Sequence, residues 1–245
     1  MRSVARRNTL YPELVAASRE PAAEPARLAS FLAHRAPVLR RLPSQVLLEL
    51  ARAASPRRYS KGHFLCHAGD PARELWVLLE GRVSVNRCGL TGNRLCIEIM
   101  IPGDLFGLPA LAVLRCPSEI QATQDSLVAV LPKEAVLRLV DRRPLLAREL
   151  LLAIGQRLHY VETTLLLSRE PLEKRAAAAL VYLAHKFGAT IPLTKTEVGE
   201  MAGAAPETAM RLLKSFEARG WVRRGRGGLV VTDLEALKAR LDPAS

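Results

Sequence analysis

The residues of this sequence best placed to do chemistry lie on one face of a predicted helix that begins at Pro206. Apolar residues recur there at helical spacing and define its buried side: Ala209, Leu212, Leu213 and Phe216. The side chains that then point outward together are Glu207, Thr208, Arg211 and Lys214. An arginine can donate two hydrogen bonds to guanine O6 and N7, and a glutamate can accept one from the cytosine amine. This face is therefore predicted to contact base edges in the DNA major groove.

The same face also has an ordinary interpretation. Glu207 and Arg211 stand four positions apart, and such a pair on a solvated helix is worth only about 0.3 kcal/mol. The surrounding elements decide between the two interpretations, because base reading needs a helix-turn-helix, a symmetric partner and cations that bind phosphates.

A shorter helix is predicted just before this one. Thr194 and Glu197 have the spacing of a capping box, in which each side chain bonds the backbone N–H of the other residue. Gly203 makes a tight turn, and Pro206 stands at a first helical position, where its missing N–H is not needed. Ala205 before it is a poor cap. Together these residues predict a helix-turn-helix.

Basic residues follow the second helix. The segment VRRGRGGLVV at 222–231 reads as two short strands around a Gly- and Arg-rich tip. Its arginines, with Lys214 and Arg219, are expected to bind phosphates and to give a salt-dependent, sequence-independent affinity. The residues predicted to contact DNA are Thr194, Lys195, Glu207, Thr208, Arg211, Lys214, Arg223, Arg224 and Arg226.

The bulk properties agree with a polyanionic partner. The chain has 245 residues, 49% of them hydrophobic, which allows one large or two small domains with a real core. Its formal net charge is +12, which favours a polyanionic partner such as nucleic acid. A basic solvated surface without a partner is the alternative, and only the position of the charges beside the predicted reading helix argues against it.

The sequence also predicts a compartment. No apolar run follows the N-terminal arginines, as a secretory signal would need. No apolar stretch reaches the roughly 18 residues that span a bilayer. Four cysteines in a chain of this length do not resemble the disulfide framework of a secreted protein. We expect a cytoplasmic protein with no membrane partner.

In residues 57–131 the spacing of apolar side chains changes from a helical period to that of a strand. Residues 95–101 alternate with a period of two, which is typical of a strand. Turn signals stand at 69–71, 91–93 and 102–104. Many short strands with Gly-rich corners predict a small antiparallel barrel or jelly roll.

Helical segments are expected before these strands. Residues 28–54 carry apolar side chains at helical spacing, and Ser44 is a plausible N-cap within them. Residues 1–27 have no sustained periodicity and are predicted to be a mobile basic tail.

A long helix is predicted from 144 to 170, where Pro171 ends it. A seam of apolar side chains falls on the a and d positions of successive heptads: Leu151, Ile154, Leu158, Val161 and Leu165, followed by Ser168. Such a seam is typical of a helix that pairs with a partner helix. A helix packed on its own domain is the alternative, but its apolar face would be wider, and the flanking residues here are mostly polar.

The chain resembles the Crp/Fnr superfamily of bacterial transcription regulators over residues 31–232. The resemblance rests on RYSKGHFLCHAGDPARELWVLLEGRVSV (58–85), PGDLFGLPAL (102–111), the long helix, and TKTEVGEMAGAAPETAMRLLKSFEARGWV (194–222). It implies an α+β protein with an N-terminal antiparallel β-roll, jelly-roll-like and of the cyclic-nucleotide-binding type. A long dimerisation helix and a C-terminal winged helix-turn-helix complete the implied fold.

The resemblance also implies a domain order and partners. Members bind pseudo-palindromic double-stranded DNA as homodimers, and a transcription regulator has RNA polymerase as a further partner. The family's Glu-x-x-x-Arg motif matches Glu207 and Arg211 and implies one G·C pair in each half-site. The predicted domains are a tail (1–27), a cyclic-nucleotide-binding-like sensor (28–143), the dimerisation helix (144–170) and the winged helix-turn-helix (171–245).

The segment that matches the family's effector pocket departs from the family pattern. Members that bind cyclic AMP carry a Glu for the ribose and an Arg for the cyclic phosphate. Leu108 replaces the Glu here, and the later pair aligns with Cys116-Pro117. An apolar side chain and a thiol offer no fixed charge for these groups. We therefore predict a signal other than cyclic AMP; the pocket candidates are Phe106, Gly107, Leu108, Cys116 and Tyr160.

Other prosthetic groups of the family are not expected either. Carbon-monoxide-sensing relatives bind haem through a Cys and a His just after the pocket turn, where Gly107 and Pro109 stand here. Oxygen-sensing relatives hold an iron–sulfur cluster on N-terminal cysteines, and residues 1–65 contain none. No cofactor is assigned.

The cysteines leave two interpretations open. Cys88 and Cys96 flank a predicted turn and could face each other across a hairpin as a redox pair. A metal site is the other sensor option; its weak candidates are Cys66, Cys88 and Cys96, with His63 and His67. Against both, free cysteines are commonly small buried hydrophobic residues.

The sequence thus predicts a homodimeric, sequence-specific DNA-binding regulator. Two alternatives remain: an architectural DNA binder without an active sensor, and a ligand-binding regulatory subunit that acts through protein contacts. The basic hairpin argues against the second. An enzyme is not expected, because no nucleophile–base pair has convincing spacing.

Overall fold

The computed structural model describes residues 24–88 and 94–241. Most of the predicted tail at 1–27 and the predicted turn at 91–93 lie outside these residues. The first helix, α1 (Glu24–Arg35), begins inside the stretch that was predicted as tail. It buries Leu28, Phe31 and Leu32, so ordered helix starts by position 24 and not at 28.

Helix α2 (Ser44–Ala53) buries its apolar face: Val46, Leu47, Leu50 and Ala51. The prediction that Ser44 caps this helix is wrong. Pro43 is the cap residue, and no side chain makes a cap hydrogen bond. The extended Pro43 carbonyl accepts from the N–H groups of Val46 and Leu47 at 2.9 and 3.1 Å, which places Ser44 inside the first turn.

Short strands follow, as predicted: β1 (Ser55–Tyr59), β2 (Phe64–Cys66), β3 (Glu74–Glu80), β4 (Val83–Cys88), β5 (Arg94–Met100), β6 (Leu105–Phe106), β7 (Glu119–Ala122) and β8 (Ser126–Pro132). They form two four-stranded sheets, with the orders β1-β8-β3-β6 and β2-β7-β4-β5. The pairings of β8 with β1 and β3, of β3 with β6 and of β2 with β7 are antiparallel.

Strands β3 and β8 form the centre of the core. Their apolar runs are buried on both faces, in register from Leu75 opposite Leu131 to Leu78 opposite Val128. At the turn after β5, Gly103 has φ 102°, and a Cβ there would overlap the carbonyl oxygen of Arg35. This turn therefore requires glycine.

Two helices follow the strands, α3 (Lys133–Arg142) and α4 (Pro144–Leu167). The first turns of α4 bury Leu146, Glu149 and Leu150. Helix α4 ends at Leu167, three residues earlier than predicted at 170.

Arg143, between α3 and α4, makes an ion pair of 2.5 Å with Glu49 of α2. This hydrogen bond and charge lower the pKa of the Glu49 carboxyl below its ordinary value. The pair ties the start of α4 to the N-terminal helices.

The C-terminal elements are α5 (Leu172–Phe187), β9 (Thr190–Ile191), α6 (Lys195–Met201), α7 (Pro206–Ala218), β10 (Val222–Gly225), β11 (Gly228–Val231) and α8 (Leu234–Ala239). Gly188 ends α5 with φ 79°. The three strands form one sheet in the order β10-β11-β9. This is a helix-turn-helix followed by a two-stranded wing, with β9 on the wing's edge.

Contacts divide the chain into two compact units. The first contains the residues up to Val85 together with Ile99–Gln156, and the second contains Asn86–Glu98 and everything from Arg157 onward. The division falls inside α4. Among the described helices, none is long and apolar enough to cross a membrane.

Candidate nucleic-acid interface

The capping box predicted at the start of α6 is confirmed. The Thr194 hydroxyl accepts from the Glu197 N–H at 3.2 Å, and the Glu197 carboxylate accepts from the Thr194 N–H at 2.7 Å. Both orphan N–H groups are therefore bonded. This geometry fixes the entry of the helix-turn-helix.

Helices α6 and α7 cross where two small residues meet. A Cβ on Gly199 would overlap the Ala209 side chain, so the helices can approach this closely only with glycine at 199. In the turn between them, Gly203 has φ 66°, and the Ala204 N–H donates to the Gly199 carbonyl at 2.9 Å. The sequence reasoning missed Gly199, whose only local signal is a glycine in the middle of a short helix.

Helix α7 presents the predicted reading face to solvent. Ala205 is its cap residue without a side-chain bond, and Pro206 starts the helix, as predicted. Ala209, Leu213 and Phe216 are buried, and the residues that are exposed on the other side include Glu207, Met210, Arg211 and Lys214. Thr208 is half-buried.

Glu207 and Arg211 do not form the ordinary surface pair. Within residues 24–88 and 94–241, neither side chain has an ion pair or hydrogen bond. Both are thus free to contact a ligand, and they stand one helical turn apart near the N-terminus of α7. A carboxylate and a guanidinium in this position can accept from cytosine and donate to guanine.

Two of the predicted phosphate contacts already have carboxylate partners. The Lys195 ammonium lies 2.5 Å from Glu217 and is largely buried. Arg219 bonds Glu173 at 2.5 Å, and its guanidinium lies 4.8 Å from the centre of the Trp221 ring. These contacts hold α6, α7 and α5 together, so both side chains have structural roles that the sequence pattern does not reveal.

The wing carries three further cations that are predicted to bind phosphates. Arg223 and Arg224 lie on β10 opposite Val230 and Leu229, and Arg226 stands at the tip. All three arginines are exposed. The close pairing of β11 with β9 requires glycine at position 228, because a Cβ on Gly228 would overlap the Ile191 carbonyl oxygen. A basic, exposed hairpin beside a reading helix is suited to bind the phosphate backbone.

The predicted seam of α4 is exposed in the single chain. Its members, between 42% and 69% exposed, are Leu151, Ile154, Leu158, Val161 and Leu165. Ordinary packing on the chain's own core would bury such residues. The stripe is thus a candidate surface for a partner helix.

In the first unit, the predicted effector-pocket residues pack against the core. Phe106 is buried, with its ring centre 5.7 Å from that of Trp76. Gly107 has φ 81°, and Leu108 begins a short 3-10 helix and packs against the core. Phe106 is therefore a core residue, and Leu108 is partly buried against the core.

The cysteines pair differently from the prediction. Cys66 is joined to Cys116 by a disulfide, and Cys88 and Cys96 are free thiols. Cys88 is exposed whereas Cys96 is buried, so the redox pair proposed across the hairpin does not form. Cys66 is bonded to Cys116 and is therefore not available as a metal ligand. The described residues hold no cluster of three metal-binding side chains.

Tyr160, the remaining pocket candidate, belongs to the second unit. Its ring lies 4.7 Å from that of Tyr182, with the Arg157 guanidinium 5.3 Å from its centre. Arg157 also pairs with Glu98 of β5. Burial raises the pKa of the Tyr160 phenol above its ordinary value. Tyr160 is thus part of a packed polar and aromatic cluster.

A cavity in the first unit is apolar and small. It measures about 10 Å³, roughly the volume that one water requires. Its lining consists of Leu39, Leu50, Leu75, Leu105, Leu131, Val136, Leu146 and Leu150. With no polar group, this cavity is unsuited to a charged ligand.

Comparisons with known proteins match both regions. Residues 56–143 match the cyclic nucleotide-binding domain family, and residues 174–240 match the Crp-like helix-turn-helix domain family. Two similar proteins are the CRP-like cAMP-activated global transcriptional regulator of Mycobacterium tuberculosis and the cyclic AMP receptor protein of Thermus thermophilus. The first is 26% identical and covers 84% of this chain and 96% of the relative. The second is 30% identical and covers 78% and 90%.

A solved structure agrees with the fold. FixK2 of Bradyrhizobium japonicum superimposes with a TM-score of 0.71 at 21% identity, over 78% of this chain and 98% of that one. The prediction of an α+β chain with a β-roll, a long helix and a winged helix-turn-helix is confirmed. The similar proteins are transcription regulators, so the prediction that the chain is not an enzyme is also confirmed.

Proposed function

The chain belongs to the Crp/Fnr family of transcription regulators, and from this premise we propose that it binds a pseudo-palindromic DNA site as a homodimer. Glu207 and Arg211 read one G·C pair in each half-site, and a signal other than cyclic AMP controls binding through the β-roll. The protein acts in the cytoplasm, with double-stranded DNA and RNA polymerase as its partners.

The observation that carries base reading is the free pair on α7. Glu207 and Arg211 are exposed and have no polar partner among the described residues, although other cations of this unit are paired. Lys195 and Arg219 each bond a carboxylate at 2.5 Å. An unpaired acid and base one turn apart support a polar ligand, and base edges offer both the donor and the acceptor.

Phosphate binding is assigned to the exposed cations around that pair: Lys214, Arg223, Arg224 and Arg226, with Thr194 and Lys195 at the start of α6. Lys195 would contribute while it remains bonded to Glu217. These contacts supply affinity and register without sequence information.

The exposed seam of α4 supports the dimer. Two copies that bury this stripe would form a two-helix coiled coil. Two α7 helices would then contact half-sites about 34 Å apart, one turn of DNA. A signal that changes the pitch or hinge of the helix pair would alter this spacing and thereby the affinity.

The proposal of a signal other than cyclic AMP rests on the first unit. Leu108 packs on the core, and Cys116 is bonded to Cys66, so neither offers charge to a ribose or a cyclic phosphate. A buried phosphate without a cationic partner is costly. Millimolar cyclic AMP should leave the DNA affinity unchanged; a large increase would contradict this part of the proposal.

Selection of binding sites from random duplex DNA tests base reading. Arg211→Ala should weaken binding by about 1–3 kcal/mol and relax the preference at one base pair of each half-site. Arg138→Ala, on the exposed face of α3, is a matched control and should select the wild-type site. If Arg211→Ala also selects that site unchanged, the assignment of Arg211 is wrong. If the wild type selects no palindrome, the chain is an architectural binder.

A further inference from the structure

A disulfide joins two segments of the β-roll that are far apart in sequence. Cys66 ends β2, Cys116 precedes β7, and the two are 50 positions apart. We propose that this pair is a reversible, redox-active modification site, and that its oxidation state is the signal to which the regulator responds.

The two segments are held side by side without the disulfide. The Gly69 N–H donates to the Cys116 carbonyl and the Cys116 N–H to the Asp70 carbonyl, both at 2.8 Å. The Ala72 N–H donates to the Leu114 carbonyl at 2.9 Å. These bonds remain when the disulfide is reduced, so the thiols stay adjacent and can be oxidised again without a search through unfolded conformations.

Side-chain contacts reinforce this arrangement. The Arg115 guanidinium donates to the Gly69 carbonyl at 2.8 Å. The Asp70 carboxylate accepts from the His67 N–H at 2.8 Å and closes the turn after Cys66. The β-roll therefore provides a preformed frame around the two sulfur atoms.

The buried pair lies beside residues that are exposed to solvent. Cys66 and Cys116 are themselves buried, but their neighbours in sequence, His67, Arg115 and Pro117, are exposed. The proposed oxidation therefore requires a local movement of these neighbours that exposes a sulfur atom to a small thiol, disulfide or peroxide.

The compartment indicates that this bond is regulatory. This step rests on the proposed function, because a regulator that binds DNA acts in the cytoplasm, where thiols are kept reduced. Disulfides of proteins in reducing compartments are usually transient, and they are catalytic or redox-sensing. The other two cysteines give no such pair, since they are free and differ in exposure.

The chemistry is a two-electron oxidation of a dithiol. With a small disulfide, one cysteine thiolate attacks a sulfur and releases one thiol, and the second cysteine attacks the mixed disulfide and releases another. With a hydroperoxide, the thiolate attacks the O–O bond to give a sulfenic acid and water or an alcohol. The second thiol then displaces water from the sulfenic sulfur. Both routes end at the same Cys66–Cys116 bond.

Titration of the full-length protein in glutathione buffers tests the site without any variant. Free thiols are alkylated at each ratio of reduced to oxidised glutathione, and the intact mass gives their number. We expect one two-electron step in which two thiols disappear together, and peptide mapping should place the bond at Cys66 and Cys116. A pair that stays in one form at every ratio, or a bond elsewhere, would overturn the proposal.

Variants separate the pair from other thiols. Cys88→Ser, which removes an exposed free thiol, should titrate like the wild type. Cys66→Ser and Cys116→Ser should each lose the step and leave a lone cysteine. With oxidised glutathione that cysteine should gain a glutathione adduct, whereas hydrogen peroxide should add only oxygen. This difference distinguishes the two oxidants.

The signalling role is tested on DNA. The affinity for the selected site should differ between the oxidised and reduced wild type by about 5- to 150-fold, the usual range of allosteric coupling. Cys88→Ser should keep this difference, and Cys66→Ser should lose it. Equal affinities in both wild-type states would overturn the signalling role. If neither the oxidised nor the reduced protein binds any duplex specifically, the proposed function is wrong instead. The thiol titration still tests the Cys66–Cys116 pair in that case.

Discussion

Helix α7 and the β-roll differ in whether the polar groups at their candidate binding positions are exposed. On α7, Glu207 and Arg211 are exposed and unpaired within the described part of the chain. In the β-roll, the positions that match the family's ligand contacts hold Leu108, packed on the core, and Cys116, bonded to Cys66. The polar groups of the first region are exposed, whereas the matching positions of the second region are occupied by a packed apolar side chain and a disulfide.

This difference follows from the ligands that the two regions require. A DNA contact forms on an open surface, where charges remain solvated until they meet the duplex. A ligand inside a β-roll must instead exchange water for fixed protein partners, and without those partners burial of its charge is unfavourable. We therefore assign the proposed output to the exposed side chains of α7 and the proposed input to the Cys66–Cys116 pair.

The largest effect is expected from breaking the bond that closes the β-roll. A disulfide that spans 50 residues restricts the unfolded chain, and its reduction should lower the free energy of unfolding by about 4 kcal/mol. Urea unfolding with and without reductant measures this loss. The midpoint should fall for the wild type and for Cys88→Ser but not for Cys66→Ser. Equal midpoints for the wild type in both conditions would show that the bond does not form in solution.

A second test concerns the crossing of α6 and α7. Gly199→Ala should destabilise the second unit by about 1–3 kcal/mol, the usual cost of overpacking, because the new methyl overlaps Ala209. Specific DNA binding should weaken as well, since α7 is displaced. Thermal unfolding and a binding titration give both quantities.

Gly155→Ala is the matched control for that substitution. Gly155 lies in a helix too, but a Cβ there meets nothing within 4 Å. Alanine should therefore stabilise this position by about 0.5–1 kcal/mol, through helix propensity alone. If Gly199→Ala lowers the stability and Gly155→Ala raises it, the loss arises at the helix crossing. If both substitutions change the stability in the same direction, the close approach at Gly199 is contradicted.

Local chemistry explains which features the sequence predicts well. The capping box at Thr194 and the start of α7 at Pro206 depend on neighbouring residues, and both occur as predicted. The heptad spacing likewise predicts which face of α4 is apolar, and the structure leaves that face exposed. Propensity and periodicity suffice for features of this range.

Contacts between distant residues are what the sequence does not reveal. The pairing of β2 with β7 shifts register between Phe64 and Cys66, so no alternation pattern could match Cys66 with Cys116. The contacts of Lys195 with Glu217 and of Gly199 with Ala209 depend on how helices pack. The cap of α2 differs for a smaller reason, because the Pro43 carbonyl makes the Ser44 side chain unnecessary.

A smaller effect is expected at the start of the helix-turn-helix. Thr194→Ala removes the hydroxyl that accepts from the Glu197 N–H and should cost about 1 kcal/mol. Thr196→Ala, inside the first turn of α6, keeps the cap and should be neutral or slightly stabilising, since alanine is the better helix former. Thermal unfolding compares them. Equal losses would mean that the capping box does not stabilise α6.

The smallest effect is expected at Glu49, whose charge has an ion-pair partner, unlike the free charges of α7. The hydrogen bond from Arg143 lowers the pKa of Glu49, so the folded state binds this proton less readily than the unfolded state does. The resulting stability is present above about pH 4.3, the ordinary glutamate pKa. It is lost as the pH falls through the lower pKa of the folded state.

Glu49→Gln should therefore be less stable than the wild type at neutral pH, and the difference should shrink as the pH falls below the ordinary glutamate value. Urea unfolding of both proteins across this range measures it. Glu134→Gln, an exposed glutamate of α3, should show no such pH-dependent difference. Because the pair of Glu49 with Arg143 is partly exposed, the effect should also weaken with added salt. A difference that persists unchanged in acid would mean that Glu49 acts through packing and not through its charge.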